Sequence, residues 1–168
     1  MIFEFIKKIK NDFKDWYRNY TKVIKLEKIY NCSVSSKSSF TGAIENIKIG
    51  KNTRINKLCN FRFKSGKIII GENVLVAQYV SVITHSYNYD INLDIKNQPM
   101  YSKDVFIGNG VWVGAYVVIM PGVTIGDGAI IGAHSIVNKN VPSNEIWAGI
   151  PAKKIREKDE SAVITIIT

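Results

Sequence analysis

The hydrophobic positions of the C-terminal half recur every six residues. From residue 107 the chain reads IGNGVW, VGAYVV, IMPGVT, IGDGAI, IGAHSI and VNKNVP. Each block begins with isoleucine or valine, and its fifth residue is valine, alanine or serine. This period fits neither a helix nor a hairpin, but it fits a chain that turns a corner after each inward-pointing residue. Three such sides predict a triangular coil whose turns stack as short parallel strands, roughly 4.8 Å apart.

The same pattern extends upstream with longer coils. Its predicted inward residues are Val34, Phe40, Ile49, Ile55, Phe61, Ile70, Val76 and Val82. The next inward residue is Ile107, which lies 25 residues after Val82. A loop at about residues 86–104 therefore leaves the coil, and long loops in compact repeats are usually functional. The pattern predicts an all-β domain, a parallel β-helix, over residues 33–156.

The two ends of the chain differ from the repeat. Apolar residues at helical spacing predict an α-helix over residues 2–20, within an N-terminal segment of residues 1–32. This helix has two interpretations. In the commoner arrangement it packs on the end of the coil or on the next subunit. In the other it rests on an anionic membrane surface. Residues 157–168 end in VITIIT and are predicted to be either a disordered tail or an added strand.

Composition narrows the class of protein. The 168 residues are enough for about one domain, and the charge of +9 favours an anionic partner. Nucleic acid is disfavoured because the basic residues are spread out and no recognition module is visible. Two cysteines without a CxxC pair indicate a reducing cytoplasm, and no apolar stretch is long enough to span a membrane. With two histidines, one chain cannot supply a three-histidine zinc site.

The segments GVWVGAYVVIMPGVTIGDGAIIGAHSIV and AGIPAKKIR resemble the left-handed β-helix acyltransferases, which include galactoside, maltose and xenobiotic acetyltransferases. The resemblance covers about residues 34–156. It implies a left-handed coil, a homotrimer with active sites between subunits, and acetyl-CoA as the donor, without a metal. The segment THSYNYD departs from the NHRMD-like motif of the xenobiotic enzymes, so acetylation of an antibiotic is disfavoured.

The resemblance also implies a catalytic base. The family's catalytic histidine precedes the loop, and the matching residue here is His85. A neutral imidazole can take the proton of a sugar hydroxyl as that hydroxyl attacks the thioester. A backbone N–H near Gly114 or Ala115 is the predicted donor to the oxyanion. The other histidine, His134, is interpreted as a surface residue at a coil corner.

The predicted binding residues follow from the same motifs. Those matching the family's acetyl-CoA contacts are Trp112, Gly114, Ala115, Ala133, Lys139, Lys153 and Arg156. Lys139 matches a family lysine near the adenosine end of the donor, and Lys153 and Arg156 match the basic pair near its phosphates, which require such donors. The predicted acceptor contacts are Asn56, Asn60, Tyr87 and Asp90, of which Asp90 is also a candidate to orient His85.

The predicted function is acetyl-CoA-dependent O-acetylation of a saccharide, of the kind found in bacterial surface-polysaccharide synthesis. The expected location is the cytoplasm, and the membrane alternative for the N-terminal helix adds peripheral contact at the inner face of the membrane. Two alternatives stay open at this point. One is N-acetylation of a nucleotide-linked amino sugar, for which a histidine base is less needed. The other is a trimeric hexapeptide-repeat scaffold without catalysis, which predicts no binding of coenzyme A.

Overall fold

The N-terminal helix is longer than the sequence predicts. The structure, a computed structural model, describes residues 2–158, and its helix α1 spans Ile2–Tyr30. The sequence prediction ends at Tyr20 because the later apolar residues, Val23, Leu26 and Tyr30, lie roughly a quarter-turn round the helix from the earlier ones. The helix ends at Asn31, whose φ of 48° is the left-handed conformation that commonly terminates helices.

Short strands make up the rest of the described chain. Two one-turn 3₁₀ helices, Ile44–Asn46 and Ile95–Asn97, interrupt them. In chain order the strands are β1 (Ser33–Val34), β2 (Ser39–Gly42), β3 (Ile47–Ile49), β4 (Arg54–Ile55), β5 (Asn60–Phe63), β6 (Ile68–Ile70), β7 (Leu75–Val76), β8 (Ser81–Ile83), β9 (His85–Tyr87), β10 (Met100–Ser102), β11 (Val105–Ile107), β12 (Trp112–Val113), β13 (Val118–Ile119), β14 (Thr124–Ile125), β15 (Ile130–Ile131), β16 (Ile136–Val137), β17 (Glu145–Gly149) and β18 (Ala152–Glu157).

The strands form the three faces of a triangular β-helix. Sheet 1 has the order β1-β4-β7-β12-β15-β17-β18, sheet 2 the order β16-β13-β8-β5-β2, and sheet 3 the order β14-β11-β6-β3. All neighbouring strands in them are parallel except β17 and β18, which are antiparallel. Strand β18 is therefore an added strand at the C-terminal end of the coil. Residues 159–168, which include VITIIT, lie outside the described residues.

The core is the column of inward residues that the six-residue period predicts. Every predicted inward position, from Val34 to Val137, is 5% exposed or less. Their alignment between coils is direct, because Ile70 pairs with Ile49 on one side and with Ile107 on the other. Phe40 and Phe61 stack inside the coil with their ring centroids 4.9 Å apart. The prediction of a parallel β-helix is confirmed.

The second half of α1 covers the open edge of the first coil. Val23 and Leu26 are buried against it. The Asn19 side chain donates to the Ser38 carbonyl (2.6 Å) and accepts the N–H of Phe40 (2.9 Å). Polar groups on an exposed strand edge invite pairing with other chains, and these hydrogen bonds satisfy some of them internally. Residues 19–30 of the helix therefore pack on the end of the coil, which is the first of the two predicted arrangements.

The segment between β8 and β11 is an ordered excursion. Its strands β9 and β10 form an antiparallel hairpin in which His85 lies opposite Ser102. The buried Gln98 side chain holds the tip by donating to the carbonyls of Asp90 (2.9 Å) and Leu93 (2.8 Å). A buried amide that finds all these partners stabilises one loop conformation. The hairpin therefore holds His85 at a defined place beside the coil.

Candidate functional site

His85 lies at the corner where the chain leaves sheet 2. Its side chain is partly buried, and its Nδ1 atom is buried without a hydrogen-bond partner among the described residues. Burial lowers the pKa of this imidazole below its usual value of 6.5, and the positive charges of Arg62 and Lys64 lower it further. At neutral pH the ring is therefore uncharged and can accept a proton.

The hairpin places the other loop candidates near His85 but not in contact with its Nδ1. The Asp90 carboxylate accepts hydrogen bonds from the backbone and side chain of Asn92, at 2.9 and 3.1 Å, and so stabilises its own turn. Within one chain Asp90 does not orient His85 through Nδ1. Tyr87 is exposed on β9, where it pairs with Met100.

A groove runs along the corner between sheets 1 and 2. Its lining residues are Ala77, Gln78, Trp112, Gly114, Ala115, Ile131, Gly132 and Ala133. The floor is open because its residues are small. A Cβ atom on Gly114 would lie 2.6 Å from the backbone nitrogen of Ala133, so this glycine is required where adjacent coils approach each other. Trp112 forms one wall with its exposed side chain.

The groove contains free backbone donors on its later coils. Within residues 2–158, the N–H groups of Ala115 and Ala133 donate to no backbone carbonyl. The N–H of Gly114 instead donates to the Ile131 carbonyl at 2.8 Å. This corrects the sequence prediction in part, because Gly114 cannot be the oxyanion donor while its N–H belongs to the coil ladder. Ala115 has the available donor.

The groove continues toward the N-terminal coils through Gln78. Gln78 also lines a second pocket with Asn56, Arg54 and Lys57. Asn56 therefore lies at the head of the groove. Asn60 lies on sheet 2 instead, where its Oδ1 accepts the Ser39 hydroxyl at 3.2 Å. The two asparagines, which the sequence could not tell apart, are on different faces of the coil.

The predicted basic residues divide between two corners. Lys153 pairs with Ala148, whose Cβ would be 2.8 Å from a Cβ on Gly132, so Lys153 lies beside the C-terminal end of the groove. Arg156 pairs with Ile146 farther along β18. Lys139 follows β16, so it lies past the opposite edge of sheet 2, at the same corner as His85.

Sheet 2 separates the groove from His85 within one chain. The groove residue Gln78 precedes β8, and Thr84, the neighbour of His85, follows it. The six steps of extended backbone between Gln78 and Thr84 span up to about 20 Å. No residue lining the groove belongs to the His85 hairpin. One chain therefore presents the groove at one corner and His85 with Lys139 at another.

One feature of the groove escaped the sequence analysis. Tyr79, Tyr116 and His134 stack at the same corner of three successive coils, with ring centroids 4.5 and 4.7 Å apart. All three have φ values near +60°, the left-handed conformation of a corner. This agrees with the interpretation of His134 as a corner residue. Tyr116 and His134 directly follow Ala115 and Ala133, whose N–H groups are free, so the column stiffens this side of the groove.

Comparisons with known proteins agree with this geometry. A family model described as bacterial transferase hexapeptide (six repeats) matches residues 104–139. Galactoside O-acetyltransferase of Escherichia coli (strain K12) is 46% identical over 114 residues, which are 67% of this chain and 54% of the relative. The chain spans about half the length of the curated relatives that it matches first.

Two solved structures are also similar. A galactoside acetyltransferase in complex with coenzyme A has a TM-score of 0.70 and 32% identity, with 85% of this chain and 72% of that chain covered. The polySia-specific acetyltransferase NeuO has a TM-score of 0.61 and 33% identity, with coverage of 70% and 57%. The chain therefore belongs to the hexapeptide-repeat acetyltransferase family. Its fold is the left-handed parallel β-helix, as predicted.

Proposed function

We propose that this protein transfers the acetyl group of acetyl-CoA to a sugar hydroxyl, in a bacterial surface polysaccharide or its precursor, with His85 as the general base. The observation that carries the proposal is the partly buried, uncharged imidazole that a rigid hairpin holds at one corner of the coil. The groove with its free donors at another corner supports it. Relatives named for galactoside and polySia support a sugar acceptor.

The groove suits the pantetheine arm of acetyl-CoA. That arm is narrow and partly apolar, and its amide carbonyls need hydrogen-bond donors. Trp112 supplies an apolar wall, and the free N–H of Ala133, one coil after Ala115, supplies one such donor. The basic Lys153 and Arg156 follow at the C-terminal end of the coil, where the phosphates of coenzyme A would lie. A solved relative holds coenzyme A.

A complete site requires a second copy of the chain. The proposed base and the proposed donor groove lie at different corners of one chain, so His85 must serve the groove of a neighbour. Lys139 lies at the His85 corner and would reach the same neighbouring groove. A closed ring of three copies, the homotrimer implied by the family resemblance, repeats this contact three times.

The proposed chemistry needs no covalent enzyme intermediate. His85 takes the proton of the acceptor hydroxyl, and the oxygen attacks the thioester carbonyl carbon. The Ala115 N–H stabilises the oxyanion of the tetrahedral intermediate. Its collapse breaks the carbon–sulfur bond, and the imidazolium returns the proton to the leaving thiolate. Asn56, at the head of the groove, is the proposed acceptor contact on the donor side, with Tyr87 and Asp90 on the hairpin side; Asn60, on another face, is a weaker candidate.

Removal of the Trp112 side chain is expected to raise the KM for acetyl-CoA about tenfold, because roughly 1.4 kcal/mol of apolar contact is lost. The measurement is thiol release with sugars, nucleotide sugars, amino sugars and polysaccharide fragments as acceptors. Phe106→Ala is the matched control, since Phe106 is 40% exposed on sheet 3 and Trp112 is 38% exposed on sheet 1. Equal KM values for the two variants would refute the donor groove.

The same assay separates the alternatives. Acceptor-dependent thiol release with sugars that lack an amine supports O-acetylation. Release with amino sugars alone, retained in His85→Ala, would instead support N-acetylation. Absence of turnover together with absence of coenzyme A binding by calorimetry would support the scaffold.

The first half of α1 supports peripheral contact with an anionic membrane. Its large apolar side chains are exposed along one side of the helix, at Ile6, Ile9, Phe13, Trp16, Tyr17 and Tyr20. Lysines flank this stripe, and tryptophan and tyrosine favour the membrane interface. Among residues 2–158, no helix is long and apolar enough to cross a membrane. Any such contact through α1 is therefore with the bilayer surface.

Binding to vesicles that contain phosphatidylglycerol is expected to fall about tenfold in the double variant F13A/W16A, because two interfacial anchors are lost. Co-sedimentation of the full chain with the vesicles measures it, and Phe106→Ala, which removes an exposed aromatic residue elsewhere, is the control. A wild-type protein that stays in the supernatant would contradict contact with an anionic membrane.

A further inference from the structure

Two cations lie at the end of the strand that is one coil before His85. Strand β5 alternates strictly, with Phe61 and Phe63 in the core and Arg62 on the outer surface. Lys64 is exposed in the bend directly after the strand, two residues from Arg62. They are thus a pair of neighbouring positive charges on one edge of sheet 2.

Backbone contacts place this pair beside His85. The backbone N–H and the hydroxyl of Thr84 both donate to the Arg62 carbonyl, at 3.0 and 3.2 Å, and His85 is the next residue. Beyond Lys64 the chain turns at the buried Gly66, where an added Cβ would lie 2.6 Å from the Ser102 hydroxyl and 2.8 Å from the Thr84 Cβ. The turn after β5 therefore packs directly against the base of the His85 hairpin. At this position both charges lower the pKa of His85, in addition to the larger effect of burial.

Neither cation is neutralised within the described chain. Ion pairs among residues 2–158 join Arg18 to Asp15, Lys51 to Glu72, and Lys154 to Glu145 and Glu157. None involves Arg62 or Lys64. Two further basic residues, Lys67 and Lys103, lie in the same corner. The nearby Asp104, which accepts the backbone N–H of Lys67 at 2.8 Å, adds one negative charge against these four positive ones. The surface beside His85 is therefore strongly positive.

The phosphates of coenzyme A do not account for this charge. The coil axis runs from β5 through β8 and β13 to β16, so Arg62 lies on the N-terminal side of His85. The basic residues proposed for those phosphates lie on β18, at the C-terminal end of the stack. A donor that reaches His85 from the C-terminal end leaves the N-terminal side to the acceptor. The positive charge faces the space in which the acceptor must lie.

We infer that Arg62 and Lys64 bind an oxyanion of the acceptor sugar, a carboxylate or a phosphate, and so select acidic saccharides or sugar phosphates. This inference rests on the proposed acetyl transfer. Adjacent coils are about 4.8 Å apart, comparable with the width of one sugar ring. The anionic group at Arg62 and the reacting hydroxyl at His85 can therefore belong to the same sugar or to adjacent sugars. The guanidinium fork of Arg62 binds either oxyanion through two parallel hydrogen bonds.

Steady-state kinetics of acetyl transfer to matched acceptor sugars test the inference. The probes are methyl glucuronide for the carboxylate, glucose 1-phosphate for the phosphate, and methyl glucoside as their neutral counterpart. In the double variant R62Q/K64Q, kcat/KM for an anionic probe is expected to fall about 10–100-fold, mainly through KM, because charge-assisted hydrogen bonds are lost. At a pH where both proteins are on the plateau of their pH profiles, the value for the neutral probe is expected to change less than about threefold, and the KM for acetyl-CoA is expected to stay unchanged. The anionic probe whose kcat/KM falls further in R62Q/K64Q identifies the oxyanion that the pair binds.

Two controls separate specific binding from net charge. The variant K37Q/K48Q removes two exposed lysines of the first coil, whereas Arg62 lies on the second coil and His85 on the third, and it is expected to behave like the wild type. The variant R62K keeps the charge without the fork and is expected to retain part of the preference. Calorimetry of the same probes with the coenzyme A-loaded protein gives a readout that does not depend on turnover.

The outcomes are distinguishable. Equal kcat/KM for neutral and anionic probes, or equal losses for both in R62Q/K64Q, would overturn the inference while acetyl transfer stands. Failure of every anionic probe to bind the coenzyme A-loaded protein would also overturn it and leave the donor groove intact. Failure of the wild type to bind coenzyme A would overturn the proposed function itself.

Discussion

Replacing His85 with alanine is expected to lower kcat about 100-fold or more, while the dissociation constant for acetyl-CoA stays unchanged. A sugar hydroxyl is a poor nucleophile until its proton is removed, and His85 is the base at the corner where the acceptor must lie. The donor groove lies at a different corner of each chain, so removal of this imidazole leaves the groove of that chain intact. Steady-state kinetics together with calorimetry of coenzyme A binding measure the two effects separately.

The second histidine is the matched control for this experiment. His134→Ala removes the same kind of side chain from a coil corner, where it stacks on Tyr116 with the ring centroids 4.7 Å apart. This variant is expected to change kcat less than about threefold, because general-base catalysis is not lost. A loss of only two- or threefold in His85→Ala would contradict its role as the base. Equal losses in both variants would indicate a structural effect.

The pH profile is a second readout of the same residue. The base acts in its neutral form, so kcat/KM rises with pH through the pKa of His85 and is constant above it. Because burial and the charges of Arg62 and Lys64 lower this pKa, the plateau is reached at a lower pH than an ordinary histidine pKa of 6.5 would give. Removal of the two charges in R62Q/K64Q is expected to move the rising limb to higher pH.

Replacing Phe61 with alanine is expected to lower the free energy of unfolding by about 3–5 kcal/mol. Phe61 is fully buried, and its ring stacks on Phe40 at 4.9 Å near the start of the coil. Its removal leaves a cavity that the neighbouring coils cannot close, because each is held in register by parallel strand pairing on three faces. Urea unfolding followed by circular dichroism measures the change, with oligomeric state checked at the same protein concentration.

Phe106→Ala again provides the comparison. Phe106 is on the outside of sheet 3 and 40% exposed, so the same change there is expected to cost less than about 1 kcal/mol. A loss below 1 kcal/mol in Phe61→Ala would contradict a single packed core that runs through the coil. A matching loss in both variants would mean that the outer face is also buried, as in an interface between copies.

Much of the fold could be predicted because the repeat is local. A period of six determines which residues face inward without reference to distant contacts, so the buried column from Val34 to Val137 follows from the sequence. The excursion was visible for the same reason, as an interruption of that period. The helix was underestimated because its apolar side changes after Tyr20, where it begins to pack on the coil instead of presenting the outer stripe.

The candidate site was less accessible because it depends on which coils lie side by side. The sequence indicated His85 and the groove residues through motifs. It could not show that the Gly114 N–H donates to the Ile131 carbonyl while the Ala115 N–H is free. Nor could it place Asn56 in the groove and Asn60 on another face. These differences come from hydrogen bonds between coils, which a linear pattern does not record.

The sequence by itself determined the architecture of this protein: a repeat of six that closes a triangular parallel coil around an isoleucine- and valine-rich core, interrupted once before Ile107. Only the tertiary structure decided that Arg62, 23 positions before His85, lies in the coil next to it, and that the groove and the base occupy different corners. The physical reason is that inward burial is a property of each six-residue block alone. Lateral neighbours depend on the length of every intervening coil, so they exist only once the coils are stacked.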